Sequence, residues 1–337
     1  MGLRAKACAG RGGVMRRSGI TLVLALLLLL AAGCRMSGQA AGSQQLTIAV
    51  VPGFANAPLQ VAVKDGLFTQ HRVDVTVQTY QTLQQAYAAL TSGQADVISG
   101  DYAGLLYMQA HAPHAQLRLI ADGYDATPGV MEILTLPGSD ITTPQDLEGV
   151  AVATPPQQLA SFSTHAPYNI ETLATEAALQ SDGVSPSGVE WQAMAPGSMI
   201  SALRDHAVSA IVTTQPYILQ AETELGAVEL LDVCSGVTAS LPLSGYFSTD
   251  GFARGHPAAL RSFQAALSAA NASTAQSGTV QSVLRTLPGM STREAALVTI
   301  GQYPTFLSVG QVQRVADLMY GTGMITTTVS VKNLLFR

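Results

Sequence analysis

Residues 89–102 carry the sequence Ala89-Leu90-Thr91-Ser92-Gly93-Gln94-Ala95-Asp96-Val97-Ile98-Ser99-Gly100-Asp101-Tyr102. The order of residue types predicts a helix end, a tight turn, a short apolar strand and the start of a new helix. A second stretch repeats this plan: Ala202-Leu203 precedes Ser209-Ala210-Ile211-Val212-Thr213-Thr214-Gln215-Pro216-Tyr217. Two copies of one strand-to-helix corner predict two sheets of similar plan.

Strands and helices alternate on both sides of these corners. Short apolar or alternating runs predict strands at 46–51, 73–77, 96–99, 117–120, 131–136, 150–153, 189–193, 210–213, 230–233 and 245–248. Helical spacing predicts helices at 82–90, from 101, at 170–180, 199–205 and 216–225, and through most of the chain from 256 onward. Thr82 with Gln85 is predicted to form a capping box, and Asn169 is predicted to cap a helix. This alternation is typical of an α/β fold with largely parallel sheets.

The two corners predict where a ligand would bind. In open α/β sheets ligands bind outside the carboxyl ends of the strands, where helix N-termini offer free N–H groups. If the two sheets face each other, the two corners form opposite sides of a cleft. The alternative is an ordinary repetition of strand and helix without a ligand.

The N-terminal residues predict export. Arg16 and Arg17 precede an apolar run at 20–32, which ends in Ala32-Gly33-Cys34. A charged region, an apolar region and a small-residue cleavage site form a secretory signal, here residues 1–33. The cysteine after Ala-Gly resembles a bacterial lipobox, which implies a lipid on Cys34 and a flexible tether at 34–45. An uncleaved anchor is the alternative, although the run is shorter than the ~20 residues that span a bilayer. Translation from Met15 would leave a signal of ordinary length.

Charge and cysteine content exclude several classes of protein. Residues 1–33 contain five of the 17 basic residues and none of the 22 acidic ones, so the remaining chain has a formal charge of −10. Such a chain lacks the basic surface that nucleic acids require. Beyond Cys34 only Cys234 remains, so we expect no disulfide within the chain. Cys234 is expected to be a buried apolar residue, because no base partner lies near it in sequence.

Five motifs, one of them within the stretch at 89–102, follow one another in order between residues 46 and 270. They are Ala57-Pro58-Leu59 leading to Ala62-Val63-Lys64-Asp65-Gly66-Leu67-Phe68, then Val73-Asp74-Val75, Ala89 to Val97, Asp146-Leu147-Glu148-Gly149-Val150-Ala151-Val152, and His256-Pro257. Together they resemble the substrate-binding proteins of ABC transporters, in the branch for nitrate, sulfonate, taurine and thiamine precursors. Each motif is weak alone, and their order behind a lipobox makes the resemblance specific.

The resemblance implies a type II periplasmic-binding-protein fold. Its two lobes would be residues 44–128 with 249–337, and residues 129–248, joined by crossovers at 123–129 and 248–252. A monomeric, lipid-anchored protein on the extracytoplasmic face of the membrane would bind a small molecule there. It would then deliver that molecule to an ABC permease and its ATPase, without a cofactor and without catalysis.

In the first lobe the candidate ligand-binding residues follow two strands. They are Phe54, Asn56, Ser99, Asp101 and Tyr102. Phe54 is suited to stacking and Asn56 to hydrogen bonding, whereas Asn56 and Asp101 are equally suited to capping a helix.

The remaining candidates lie at the crossovers and in the second lobe. They are Tyr124, Thr154, Thr213, Thr214, Gln215, Tyr217 and Tyr246. Tyr124 lies between Asp122 and Asp125 at the first crossover, where these residues face the cleft or form a plain turn. Pro216 predicts Gln215 as a helix N-cap.

The residue types around the predicted cleft bear on the ligand. After Thr154 the chain departs from the family pattern, because Pro155 and Pro156 cannot donate N–H bonds to an oxyanion. Acidic and aromatic residues outnumber basic ones at the corners, which favours a flat or cationic organic ligand such as a pyrimidine or an amine over sulfonate or nitrate. Because the histidines lack ligand spacing, no metal site is expected.

Two other functions fit the same fold. A sensory lipoprotein would bind the ligand and signal through a membrane partner. Some cytosolic enzymes share the architecture, but the signal sequence and the lack of a nucleophile–base pair argue against catalysis.

Overall fold

The computed structural model describes residues 43–111, 116–155, 169–274, 277–287 and 290–337. These residues belong to one compact unit, Ser43–Arg337. The predicted signal peptide, Cys34, most of the predicted tether and the loop at 156–168 lie outside the described residues.

The described strands are β1 Gln44–Val50, β2 Val73–Thr79, β3 Val97–Asp101, β4 Leu117–Asp125, β5 Met131–Thr135, β6 Ala151–Thr154, β7 Glu190–Ala193, β8 Ala210–Thr214, β9 Val228–Asp232 and β10 Pro242–Thr249. The described α-helices are α1 Ala57–Lys64, α2 Leu67–Gln70, α3 Leu83–Thr91, α4 Tyr102–His111, α5 Ile170–Ser181, α6 Pro196–Arg204, α7 Tyr217–Leu225, α8 Asp250–Gly255, α9 Pro257–Thr274, α10 Ser277–Leu284, α11 Thr292–Leu297, α12 Val309–Gly321 and α13 Val331–Leu334. Single 3₁₀ turns lie at Phe54–Asn56, Pro144–Leu147, Pro186–Gly188 and Gly236–Thr238.

The described strands form two sheets with one topology. The strand orders are β2-β1-β3-β10-β4 and β7-β6-β8-β5-β9. In the first sheet only β10 runs antiparallel to its neighbours, and in the second only β5 does. The two repeated corners of the sequence contain β3 and β8, which occupy equivalent positions in the two sheets. The predicted α/β two-lobed architecture with mainly parallel sheets is therefore confirmed.

The chain passes between the sheets at 126–130, and it returns at 233–241. The first passage lies within the predicted crossover at 123–129 or just after it. The second lies before the predicted 248–252, because β10 pairs with β3 and β4 of the first sheet. A boundary at 248 therefore assigns β10 to the wrong lobe. An apolar strand pattern indicates burial, but it does not indicate which sheet the strand joins.

Local signals in the sequence set several helix starts. Thr82 accepts the backbone N–H of Gln85, while the Gln85 side chain accepts from Gln81 rather than from Thr82, so only half of the predicted capping box forms. The Asn169 side chain caps α5 as predicted, with its Oδ1 2.8 Å from the Thr172 nitrogen.

Two local predictions were wrong. α7 begins after Pro216, which occupies the N-cap position predicted for Gln215. Asp122 and Asp125 lie within β4 rather than in a turn, because β4 continues to Asp125 along β10.

Buried apolar side chains fill both faces of each sheet. Leu46 and Ile48 of β1 pack with Leu260 and Phe263 of α9 on one face of the first sheet. In the second sheet Ile211 packs with residues of α6 and α7. Within the described ranges, no helix is both long enough and apolar enough to cross a bilayer.

Candidate functional site

A cavity of about 480 Å³ lies where the carboxyl ends of strands from both sheets meet. The first sheet contributes the ends of β3 and β4, the start of β10 and the loop at 51–56, which we call the binding loop. The second sheet contributes the start of β5, the end of β8 and the first residues of α5. This is the position that the repeated corners predict, because a ligand here would contact both sheets at once.

Side-chain hydrogen bonds hold the binding loop in place. Asn56 donates from Nδ2 to the Val51 carbonyl at 2.6 Å and accepts at Oδ1 from the Ser99 hydroxyl at 2.7 Å. The Tyr303 hydroxyl donates to the Phe54 carbonyl at 2.9 Å. Phe54, Asn56 and Ser99 all line the cavity. The side chain of Asn56 is therefore occupied in fixing the loop.

Asp101 joins the two sides of the cavity. Its Oδ1 accepts the Gly104 N–H at 2.7 Å, which caps α4, and also the Ile170 N–H at 3.0 Å, the first of α5. One carboxylate oxygen thus contacts helices of both lobes. The pKa of Asp101 is raised from 3.8 to about 7, chiefly by burial and in smaller part by the charge of Glu171, while the hydrogen bonds from Gly104 and Ile170 act in the opposite direction.

Three predicted tyrosines take different places. Tyr124 lines the cavity, and its hydroxyl accepts the Gly301 N–H at 2.6 Å. Tyr102 lies in the core behind the cavity, where its hydroxyl donates to Asp122 at 2.8 Å and where a Cβ on Gly245 would come within 2.5 Å of that hydroxyl. Tyr246 is also fully buried. Neither Tyr102 nor Tyr246 is among the described lining residues.

Tyr102 and Tyr246 were predicted as ligand contacts, but in the structure both are core residues. Helical and strand spacing alone did not show which side of each element faces the sheet, and both rings pack in an edge-to-face arrangement with phenylalanines of the core.

In the second lobe the end of β8 reaches the cavity. Thr214 and Gln215 line it, and Gln215 donates from Nε2 to the Gly129 carbonyl at 3.0 Å. Thr213 and Thr154 are buried in the sheet, and Tyr217 lies on α7, so none of these three is among the described lining residues. Side chains alternate across a strand, so the neighbours Thr213 and Thr214 point to opposite faces.

Several lining residues were not predicted from the sequence. They are Leu83, Val130, Met131, Ile170, Glu171, Leu243, Ser244, Leu287 and Met290. The Asn169 cap was the signal available for Ile170 and Glu171, because an N-cap marks where a helix begins and hence where its free N–H groups point. The others come from elements whose contact with the cleft depends on tertiary packing.

The cavity is mainly apolar, and the carboxyl groups among its described lining residues are those of Asp101 and Glu171. Among its described lining residues the ionisable groups are Asp101, Glu171 and Tyr124, with no Lys, Arg or His. No group of three or more His, Cys, Asp or Glu side chains in the described parts of the chain is arranged to hold a metal ion. This environment suits an apolar molecule with a polar or cationic group directed at Asp101.

The comparisons with known proteins agree with this architecture. Residues 54–277 match the family model described as NMT1/THI5 like, and the chain therefore belongs to the NMT1/THI5-like family. No curated protein matches the chain in sequence at a significant level.

Solved structures share the fold at low sequence identity. The periplasmic aliphatic sulphonate binding protein SsuA of Escherichia coli superposes with a TM-score of 0.70 at 19% identity, covering 87% of this chain and 97% of that one. The alkanesulfonate-binding protein SsuA of Xanthomonas axonopodis pv. citri, bound to MOPS, gives 0.65 at 21%, covering 88% and 100%. The desulfurization enzyme DSZB gives 0.67 at 14%, covering 87% and 96%. These similarities establish the fold of periplasmic binding proteins, a fold that an enzyme also uses.

Proposed function

We propose that this chain is an extracytoplasmic solute-binding protein that delivers a small, neutral or cationic organic molecule to an ABC importer. The observation that carries the proposal is the cavity between the two sheets, with Asp101 bonded to helices of both lobes and no described basic residue in the lining. Family membership and the shared fold of sulfonate-binding proteins support the binding role.

The ligand class follows from charge. A sulfonate placed beside Asp101 and Glu171 would meet like charges in a site of low polarity, which costs binding energy. The sequence at 156–168, which lies outside the described residues, contains no Lys or Arg, and His165 is its single basic candidate. An amine, an aminopyrimidine or a similar molecule would instead gain a charge-assisted hydrogen bond to Asp101 and apolar contact with Phe54 and the aliphatic wall.

Binding would be coupled to closure of the lobes. The crossovers at 126–130 and 233–241 connect the two sheets, and Gly129 adopts φ +82° in the first of them. A ligand that contacts the binding loop and the end of β8 binds best when the lobes are closed, so it shifts the population toward that state. In this scheme the closed form is the one that the permease recognises.

The proposal also includes a lipid anchor at Cys34 and two protein partners, a permease and its ATPase. Cleavage before Cys34 and lipidation of that residue would tether a monomer to the outer face of the cell membrane, within reach of a permease and its ATPase. A sensory role would use the same cavity, and co-occurrence with a sensor kinase in place of a permease would identify it.

Catalysis is the less supported alternative, despite the enzyme among the structural neighbours. The one cysteine in the described part of the chain, Cys234, is fully buried, and burial raises the pKa of its thiol to about 12. A thiol in this state is a poor nucleophile. We therefore propose a binding protein rather than an enzyme.

A thermal-shift panel tests the proposal. The purified protein is heated with aminopyrimidines, alkylamines, alkanesulfonates and nitrate, since a compound that binds only the native state raises the melting temperature. We expect shifts with the amines or aminopyrimidines. A shift confined to sulfonates or nitrate would contradict the proposed ligand class but not the binding role, whereas no shift across a wide panel would count against that role.

A further inference from the structure

A second pocket, of about 590 Å³, lies in the first lobe away from the cleft. It shares no lining residue with the cleft cavity among the described residues. β4 connects the two sites: Arg118 at its start lines the second pocket, and Tyr124 near its end lines the first. The two residues are six positions apart along the strand, a distance of about 20 Å at ~3.3 Å per residue. A molecule in one site therefore does not contact a molecule in the other.

Four of the residues that line this pocket are arginines. They are Arg118, Arg254, Arg261 and Arg337, and we refer to the site as the arginine pocket. They come from four separate elements: β4, α8, α9 and the residues after α13. The last of these returns to the edge of the first sheet, where the Phe336 N–H donates to the Leu119 carbonyl at 3.0 Å. The pocket is thus a product of tertiary folding and has no motif in the sequence.

One carboxylate orients two of the arginines. Arg118 Nε lies 2.7 Å from Asp250 Oδ1, and Arg254 Nη1 forms an ion pair with Asp250 Oδ2. The Asp250 side chain is only 7% exposed, whereas that of Arg254 is 73% exposed. Arg118 is held further by a 2.5 Å bond from Nη1 to the Asn333 carbonyl. Both oxygens of Asp250 therefore pair with Arg118 and Arg254, and no described ion pair joins Asp250 to Arg261 or Arg337.

Arg261 is oriented by an aromatic ring and a main-chain oxygen, with no described ion pair to an Asp or Glu side chain. Its Cζ lies 5.7 Å from the centre of the Phe336 ring, and its Nη2 is 3.4 Å from the Arg337 carbonyl oxygen. An aromatic ring fixes the orientation of a cation that lies over its face but does not neutralise the charge of that cation. Arg261 thus lines the pocket, and its guanidinium group has further N–H donors that a ligand could use.

The arginine pocket has a net positive charge, which favours the binding of an anion. Four guanidinium groups face one side-chain carboxylate, Asp250, among the described lining residues, which leaves a surplus of three positive charges. A terminal carboxylate on Arg337 would still leave two. Arginine cannot lose its proton in a protein, so this repulsion persists at every physiological pH. The rest of the chain is acidic, with 22 acidic and 17 basic residues overall, so this concentration of positive charge is local.

We propose that the arginine pocket binds a phosphate group. Guanidinium forks pair with phosphate oxygens through two parallel N–H···O bonds, and convergence of several forks gives both charge neutralisation and geometric selection. The same chemistry is offered by free inorganic phosphate and by the headgroup of a membrane phospholipid. This site is independent of the solute proposed for the cleft.

Titration calorimetry at low ionic strength tests the proposal with two probes, inorganic phosphate and the headgroup diester glycerophosphoglycerol. The test variants are Arg254→Gln, Arg261→Gln and the double variant, because both side chains are solvent-exposed and their replacement leaves the Arg118–Asp250 pair intact. The matched control is Arg204→Gln, an exposed arginine of the second lobe that is paired with Glu224 at 2.8 Å. Circular dichroism and the melting temperature without phosphate verify that each variant is folded.

We expect the unchanged protein and Arg204→Gln to bind at least one probe, and the double variant to bind it at least tenfold more weakly. The affinity should also fall as KCl is added. Binding of phosphate alone identifies a free-phosphate site, and binding of the diester identifies a headgroup site; both results support the proposal. Absence of binding by either probe to the folded protein would overturn it, as would equal affinity in the double variant.

Discussion

Replacement of Asp101 by asparagine separates the two roles of this side chain. The carboxyl Oδ1 accepts N–H groups from Gly104 and Ile170, and an amide oxygen in the same position accepts both. The substitution therefore keeps the caps on the two helices and removes only the ability to carry a negative charge. Asp101→Asn should fold, and it should differ from the unchanged protein chiefly in how its stability depends on pH.

The size of this difference follows from the pKa. Burial raises the pKa of Asp101 to about 7, compared with about 3.9 in an unfolded chain. The folded state then holds its proton more tightly, so the free energy of unfolding falls as pH rises from about 4 to about 7 and is level above that. Between pH 5 and pH 8 the loss due to this one group is about 2 to 3 kcal/mol, at about 1.4 kcal/mol per pKa unit.

Urea unfolding at pH 5 and at pH 8 measures the effect. The unchanged protein should lose about 2 to 3 kcal/mol more than Asp101→Asn between the two values. Comparison with the variant cancels the contribution of the other buried acids, such as Glu132 and Glu176, whose pKa burial also raises to about 7. Asp65→Asn, at an exposed position after α1, is the matched control and should follow the unchanged protein. Parallel pH dependence in the unchanged protein and Asp101→Asn would refute a raised pKa of Asp101 in the folded protein.

Three other predictions address the loop, the anchor and the thiol. Tyr303→Phe removes the donor to the Phe54 carbonyl and should weaken binding of the most stabilising panel compound about fivefold, or about 1 kcal/mol, in titration calorimetry; unchanged affinity would show that this bond does not position the loop. Cys34→Ala should move the protein from the membrane fraction to the soluble fraction when cells are fractionated, and a variant that still incorporates labelled fatty acid would contradict the lipobox assignment. Cys234 should react with a thiol reagent only after unfolding, because it is fully buried and burial raises its pKa; rapid reaction in the native protein would reopen the case for an enzyme.

The architecture was predictable because it is repeated in the sequence. The corners at 89–102 and 202–217 report a strand, a turn and a helix start from local patterns alone, and they occupy equivalent places in the two sheets. The assignment of β10 was not predictable in this way. Its neighbours are β3 and β4, more than a hundred residues earlier, and strand patterns do not specify partners at that distance.

The candidate site was predictable to the level of loops but not of side chains. Phe54, Asp101 and Gln215 line the cavity because each lies at or shortly after a strand end, which the sequence shows. Tyr102 and Tyr246 also lie close to cleft residues in sequence, yet their rings point into the core. Which way a side chain faces depends on the sheet twist and on small neighbours such as Gly245, which leaves room for the Tyr102 hydroxyl.

Hydrogen exchange measured with and without the most stabilising compound of the thermal-shift panel tests the central claim, that one solute is held between the two lobes. The account predicts slower exchange together in the binding loop at 51–56, at 99–101, in the first turn of α5 and at 214–217, which belong to both sheets. Protection limited to one lobe, or located away from all four segments, would contradict a ligand site in the cleft.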